Sequence, residues 1–243
     1  MTERREAAER IQNLNRELRT RIAQLDESQR IIELRTLELQ KLSTRVLQIQ
    51  DEERRRIARD LHDDLGQQLS GLKMILDKNK NPNASELADS AIETVRNLSY
   101  LLHPPLLDES GLRPALHWFV EGLTKRNKIE ISLTIRPQNF PRLSSEIETT
   151  IFRIVQEALT NVLRHSDSRS ARVEIDKQPE WIAVRIRDYG KGVSFNGTAA
   201  ATSPRIGVGI AGMRERVRQF GGELMVSRSE PGTLVEAKIP VFA

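Results

Sequence analysis

Three groups of residues in this 243-residue chain have types and spacings that could do chemistry. The first lies in Asp51-Glu-Glu-Arg-Arg-Arg-Ile-Ala-Arg-Asp-Leu-His62-Asp-Asp-Leu-Gly-Gln67. On a helix, His62 falls about 70° from the centre of the apolar stripe Ile57, Leu61, Leu65, Leu69, Leu72 and Leu76, on a flank open to solvent. A neighbouring acid such as Asp63 can accept the imidazole Nδ1–H, fix the tautomer and leave Nε2 as a nucleophile. Asp63 and Gln67 are spaced i, i+4 and share a face, so one can orient a proton while the other positions a water. A surface histidine in a charged helix accounts for this segment equally well.

The second group is Glu157, Asn161 and His165, at i, i+4 and i+8 beside a buried stripe of Ile151, Val155, Ala158 and Val162. A carboxylate and a carboxamide in line can hold a hard cation, since Mg²⁺ prefers oxygen ligands and keeps much of its water beside phosphates. Such pairs also occur on many solvated helix faces. The third group is glycine-rich: Asp188-Tyr-Gly190-Lys-Gly192 after a strand, then Gly207-Val-Gly209-Ile-Ala-Gly212 opening a helix. Glycine permits close backbone approach, and a helix N-terminus offers free N–H groups to phosphate. An aspartate at a strand end can accept from an exocyclic amine, selecting adenine over guanine. The GxGxxG string fails as a dinucleotide fingerprint, because no βαβ unit follows and no acid stands at a strand end about 20 residues on. There is no P-loop either.

The elements that must position these groups fall into three regions. Residues 1–50 contain no Gly or Pro, and with Ile11 at heptad position a every later a position is aliphatic: Leu18, Leu25, Ile32, Leu39 and Val46. The d positions are weaker, with Leu14, Leu42 and Ile49 apolar but Arg21, Ser28 and Arg35 polar. This pattern predicts a parallel coiled coil, a rod of roughly 75 Å at the helical rise per residue. The register breaks between Ile49 and Ile57, as a stutter would. Residues 51–104 then read as a helical hairpin turning at 78–83 and stopped by Pro104-Pro105. One hairpin supplies half the core of a four-helix bundle, so a homodimer is expected.

From residue 105 onward the composition shifts, and nine of the 13 glycines lie between Gly190 and Gly232. Helices are predicted at 112–126, at 145–165 (opened by a Ser145-x-x-Glu148 capping box) and at 209–220. Strands are predicted at 129–136, 171–177, 181–187, 223–228 and 233–240, giving an α+β sandwich with a largely antiparallel sheet.

Composition narrows the classes further. The chain has no Cys and four His, excluding disulfides, thiolate catalysis and Cys-ligated zinc. Lys and Arg number 38 against 34 Asp and Glu, a net charge of +4 too evenly mixed to argue for nucleic acid. No signal peptide or membrane-spanning run is visible, so a cytoplasmic location is expected.

The order His62-Asp-x-x-x-Gln67, Glu157-x-x-x-Asn161, Asp188-x-Gly190-x-Gly192, Gly207-x-Gly209-x-x-Gly212, Gly232-Thr233 resembles a two-component sensor histidine kinase. More narrowly it resembles the NarX/DesK-type subfamily, over residues 50–243. The resemblance implies a dimerisation and phosphotransfer hairpin followed by an ATP-binding domain of the GHKL (Bergerat) fold. It implies His62 as phosphoacceptor, Asp63 as its acid/base partner and Gln67 as the residue orienting a hydrolytic water. Asn161 would be the Mg²⁺ ligand, with Glu157 holding a coordinated water or helping to activate His62. Arg164 and His165 would lie near the phosphates. Asp188 would read the adenine amine, with Thr233 close by through water. Gly190, Gly192, Gly207, Gly209 and Gly212 would shape the pocket and its lid, residues 193–206. ATP and Mg²⁺ are the implied cofactors, and a NarL-type response regulator and an upstream sensor the implied partners. Other GHKL ATPases, or a coiled-coil scaffold with a non-catalytic nucleotide-binding domain, are the competing readings.

Overall fold

The structure, a computed structural model, describes residues 2–192 and 208–241. It divides into two compact units, residues 1–46 and 47–243. The described residues of the first, from Thr2 on, are helical and form the start of α1, a helix that runs Thr2–Asp60. Ladders such as Arg21 to Glu17 at 3.0 Å brace it along its surface. Leu18, Leu25, Ile32, Leu39 and Val46 are all exposed on the single chain.

In the second unit, α1 gives way at Leu61–Leu65 to a π turn that carries His62, and then to α2 (Gly66–Lys78). Gly66 N–H closes the turn by donating to Leu61 O. This widening lies C-terminal to the break in heptad register between Ile49 and Ile57. Successive steps of four drift about 40° on a regular α-helix, and a wider π turn absorbs that drift where the stripe itself needs it. Asn81 caps α3 (Pro82–Leu102) by accepting from Ala84 N–H at 3.3 Å. Lys73 and Asp89 tie α2 to α3. Leu72, Met74, Ile75, Leu87 and Leu98 remain exposed, so the hairpin buries only part of its apolar surface.

Pro104-Pro105 stops α3 but also starts a short helix, α4 (Pro105–Glu109), as proline at a first helical position permits. Then follow α5 (Leu112–Asn127), β1 (Glu130–Arg136), α6 (Ser145–Asn161), a second π turn (Val162–Ser166), β2 (Ser170–Lys177), β3 (Trp181–Asp188), α7 (Val208–Arg218), β4 (Glu223–Arg228) and β5 (Thr233–Pro240). The cap of α6 is Ser144, whose hydroxyl accepts from Ile147 N–H at 3.4 Å, not Ser145. Glu148 instead reaches back to accept from Leu143 N–H at 3.1 Å.

The sheet order is β1-β2-β3-β5-β4, with β1 parallel to β2 and every other pair antiparallel. Alternation places Val173, Ile175, Ile182, Val184, Ile186, Ala237 and Ile239 on one buried face. Phe119 of α5, Phe152 of α6 and Val217 of α7 join the same core, and the two rings meet edge to face at 5.4 Å. The same alternation turns Asp188, at the end of β3, inward, where it is 4% exposed. No helix among the described residues is long and apolar enough to cross a membrane.

Candidate active site

A cavity of about 400 Å³ opens between α6 with its π turn, the N-terminal half of α7, and the ends of β3, β4 and β5. Ala158, Val162, Ile186, Ile210, Met213, Val226 and Val235 make an apolar slot. Asn161, His165, Ser166, Asp188, Lys191 and Thr233 are its polar members, and Gly192 and Gly209 leave backbone bare at its wall. An apolar slot with a few convergent polar groups is what a flat heteroaromatic ligand with a charged tail requires.

Asp188 is held at the inner end of the slot by its surroundings. Its Oδ1 accepts from Gly190 N–H at 2.9 Å. Gly232, at φ +99°, presses its Cα against the Asp188 carbonyl so closely that a Cβ there would stand 2.0 Å from the oxygen. Gly190 lies as tightly on the π turn after α6, where an added Cβ would meet Ser166 O at 2.0 Å. Lys191 N–H donates to that same carbonyl at 2.9 Å. Ser168 Oγ accepts from Tyr189 N–H at 3.2 Å and donates to Ser170 O at 2.6 Å. The turn after α6 therefore grips the loop after β3, fixing Asn161 and Asp188 relative to each other. Ser166 and Ser168 had no signal in motif spacing, since a serine in a turn is ordinary by type. The left-handed Asp167 between them, φ 55°, is a feature of the backbone alone.

The other expected site residues divide. Glu157 does not line the cavity, but its carboxylate packs on the α7 backbone: a Cβ at Gly209 would stand 1.8 Å from Oε1. Arg164 and His165 are both exposed on the π turn, and of the two only His165 lines the cavity. Gly212 lies outside the lining, with nothing within 4 Å of where its Cβ would be. Gly207 and the expected lid, 193–206, lie outside the described residues. His62, Asp63 and Gln67 sit together and exposed on and just after the first π turn, away from the cavity lining.

The residues present suit a nucleotide with a divalent cation. No cluster of three or more His, Cys, Asp or Glu able to hold a metal occurs among the described residues. The Asn161 amide oxygen is a hard ligand of the kind that supplements phosphate and water around Mg²⁺.

A further set of contacts joins the hairpin to the sheet-bearing part. Arg153, 4% exposed, donates from Nε to Asp51 Oδ1 at 2.9 Å and from Nη2 to Leu102 O at 2.8 Å. Arg216 donates to the other Asp51 oxygen. Arg55 donates to Asp108 at 2.9 Å and to Ser145 Oγ at 2.9 Å, while His103 Nε2 lies 3.1 Å from Asp108. Tyr100 stacks on Trp118 with ring centroids 3.9 Å apart. Within the hairpin itself, buried Ser99 of α3 donates to Ala58 O of α1 at 2.8 Å.

A model of the HisKA_3 family, described as histidine kinase, matches residues 53–107. A model of the HATPase_c family, described as histidine kinase-, DNA gyrase B- and HSP90-like ATPase, matches residues 146–242. Among curated relatives, the sensor histidine kinase MctS of Rhizobium johnstonii is 33% identical over 219 residues, 84% of this chain and 47% of that protein. The sensor histidine kinase LiaS of Bacillus subtilis is 31% identical over 90% of this chain and 65% of its own length. The signal transduction histidine-protein kinase/phosphatase DegS of Brevibacillus brevis is 30% identical over 84% of this chain and 55% of its own. The chain thus spans between 47% and 65% of the length of these relatives.

Proposed function

Because the chain belongs to the histidine kinases, with HisKA_3 followed by HATPase_c, we propose that it phosphorylates His62 from ATP and passes the phosphoryl group to an aspartate of a response regulator. One observation carries this reading. A cavity that joins Asn161, Asp188, Gly192, Gly209 and Thr233 occurs in the same chain as an exposed histidine on a π turn. Single-turn π insertions favour functional positions.

In this mechanism Asp188 accepts from the adenine amine, and the slot of Ile186, Ile210, Met213 and Val226 takes the ring. Asn161 would hold Mg²⁺, which supplies charge neutralisation at the phosphates when bound. Asp63 accepts the proton on Nδ1 of His62, so the Nε2 lone pair faces outward. That lone pair forms the bond to the γ-phosphorus as the bond to the β–γ bridging oxygen breaks, and ADP leaves. The regulator's aspartate oxygen then takes the phosphoryl group from nitrogen. Gln67, near His62, orients a water for the reverse duty, hydrolysis of the regulator's acyl phosphate. The name of the relative DegS, a kinase/phosphatase, supports that second activity.

A homodimer, closed over the exposed Leu72, Ile75, Leu87 and Leu98 of the hairpin, completes a four-helix core, and α1 continues it as a coiled coil. A NarL-type regulator, an upstream sensor, a cytoplasmic setting and boundaries near residues 50 and 104 belong to the same reading.

The test is incubation with γ-labelled ATP and Mg²⁺, beside His62→Gln and Asn161→Ala. An acid-labile, base-stable label lost in both variants is the expected result. Label that survives His62→Gln sinks the assignment.

A further inference from the structure

Asp51 lies on α1, three turns before His62, and its carboxylate is shared between two cations from two different helices. Arg153 donates to Oδ1 at 2.9 Å from α6, one turn before Glu157 and two before Asn161. Arg216 donates to Oδ2 from α7, two turns after Gly209 on the same face. All three side chains are withdrawn from water: 17% of Asp51, 4% of Arg153 and 10% of Arg216 remain exposed. Two guanidinium ions facing each other across a helix seam repel. Burial pushes the Arg153 pKa down to about 10, Asp51 opposes that shift, and the charges of Arg54 and Arg216 add to it.

The seam between α6 and α7 is also the gap that sets the width of the cavity. Asn161 and His165 stand on one side, Gly209, Ile210 and Met213 on the other. At that end the helices already touch, with the Gly209 backbone against the Glu157 carboxylate. The opposite end is closed by Asp51 between the two arginines.

We infer that Asp51 is the removable counter-ion of this seam: its carboxylate holds α6 and α7 at the spacing that binds nucleotide, and a turn of α1 that withdraws it spreads the seam and weakens binding. The inference rests on the cavity being the ATP site. A rotation of one residue moves a side chain about 100° around the helix axis, enough to empty the slot. Arg153 keeps neutral partners when Asp51 leaves, the Leu102 carbonyl at 2.8 Å and Gln156 Oε1 at 2.8 Å. The buried cation is therefore not stranded, and the contact can open and close. By reciprocity, bound nucleotide favours the pose of α1 in which Asp51 fills the slot.

The test uses the full chain with His62→Gln as parent, so that no phosphoryl transfer interferes, and measures ATP–Mg²⁺ affinity by calorimetry with melting curves as control. Asp51→Asn weakens binding about 5- to 20-fold, within the usual range of coupling between sites. Asp51→Glu keeps the charge and stays within about threefold of the parent. Adding Arg216→Gln to Asp51→Asn removes the repulsion and restores affinity to within about threefold. Parent-like binding by Asp51→Asn overturns the inference, and so does a double variant as weak as Asp51→Asn. A parent that binds no ATP overturns the nucleotide reading itself, and the inference with it.

Discussion

Gly232→Ala separates the backbone's role in the site from its role in stability. Gly232 has φ +99°, and a Cβ there would stand 2.0 Å from the Asp188 carbonyl oxygen and 2.8 Å from Asp188 Oδ1. Close carbon–oxygen contacts settle near 3.3 Å, so the start of β5 and the end of β3 must part by about 1.3 Å. The strained backbone costs about 1–3 kcal/mol. In a unit of this size each kcal/mol lowers the melting midpoint by about 2–4 °C. A displacement near 1 Å of a group that positions substrate costs about 100-fold in rate, and ATP affinity falls with it. Gly221→Ala is the control: φ is +72°, but nothing lies within 4 Å of the added Cβ. It incurs the backbone cost alone, about 1–2 kcal/mol. Calorimetric ATP titration and thermal melting of both variants make the comparison. Equal nucleotide affinity in Gly232→Ala and Gly221→Ala would refute the argument that Gly232 positions Asp188.

Asp108 offers a pH test. Burial alone would raise its pKa, but the hydrogen bonds and charges of His103 and Arg55 outweigh burial and hold the carboxyl well below the usual carboxylate range. A folded pKa below the unfolded one means that the stabilisation is present above about pH 4 and is lost as pH falls through the folded value. Chemical denaturation should therefore show Asp108→Asn less stable than the parent by a constant margin near neutrality, narrowing below about pH 4; a margin unchanged into strong acid contradicts it. Phe152, fully buried against Phe119, anchors α6 to the core. Phe152→Ala should cost about 3–5 kcal/mol in urea denaturation, and a loss under about 1 kcal/mol would show that α6 is held by something else.

Much of the fold was legible because its signals are local. The strands expected at 223–228 and 233–240 stand at those bounds, since the alternation of Leu224, Val226, Val235, Ala237 and Ile239 needs no knowledge of partners. Where the reading slipped, a distant group decided. Ser144 and Ser145 can each cap α6, but the guanidinium of Arg55 occupies the Ser145 hydroxyl and leaves the cap to Ser144. Spacing of four at Ile57, Leu61, Leu65 and Leu69 reads as the broad face of a bundle helix and carries no sign of a local widening. The Leu61 O to Gly66 N–H bond puts that widening around His62. Pro105 reads as a helix stop and serves as a helix start, because the same missing N–H suits both.

The sequence by itself determined the strands, the long helices and the histidine-bearing hairpin, since each depends on periodicity or motif spacing over a few turns. Only the tertiary structure decided what holds them in place. The grip of Ser166 and Ser168 on the loop after Asp188, the pressure of Gly232 on that aspartate and the insertion of Asp51 between Arg153 and Arg216 join residues far apart in the chain. Asp51 and its two arginines are separated by 102 and 165 positions. Charge pairing acts through space with no preferred sequence interval, so a counter-ion at that distance leaves no period to read until the backbone has folded it into reach.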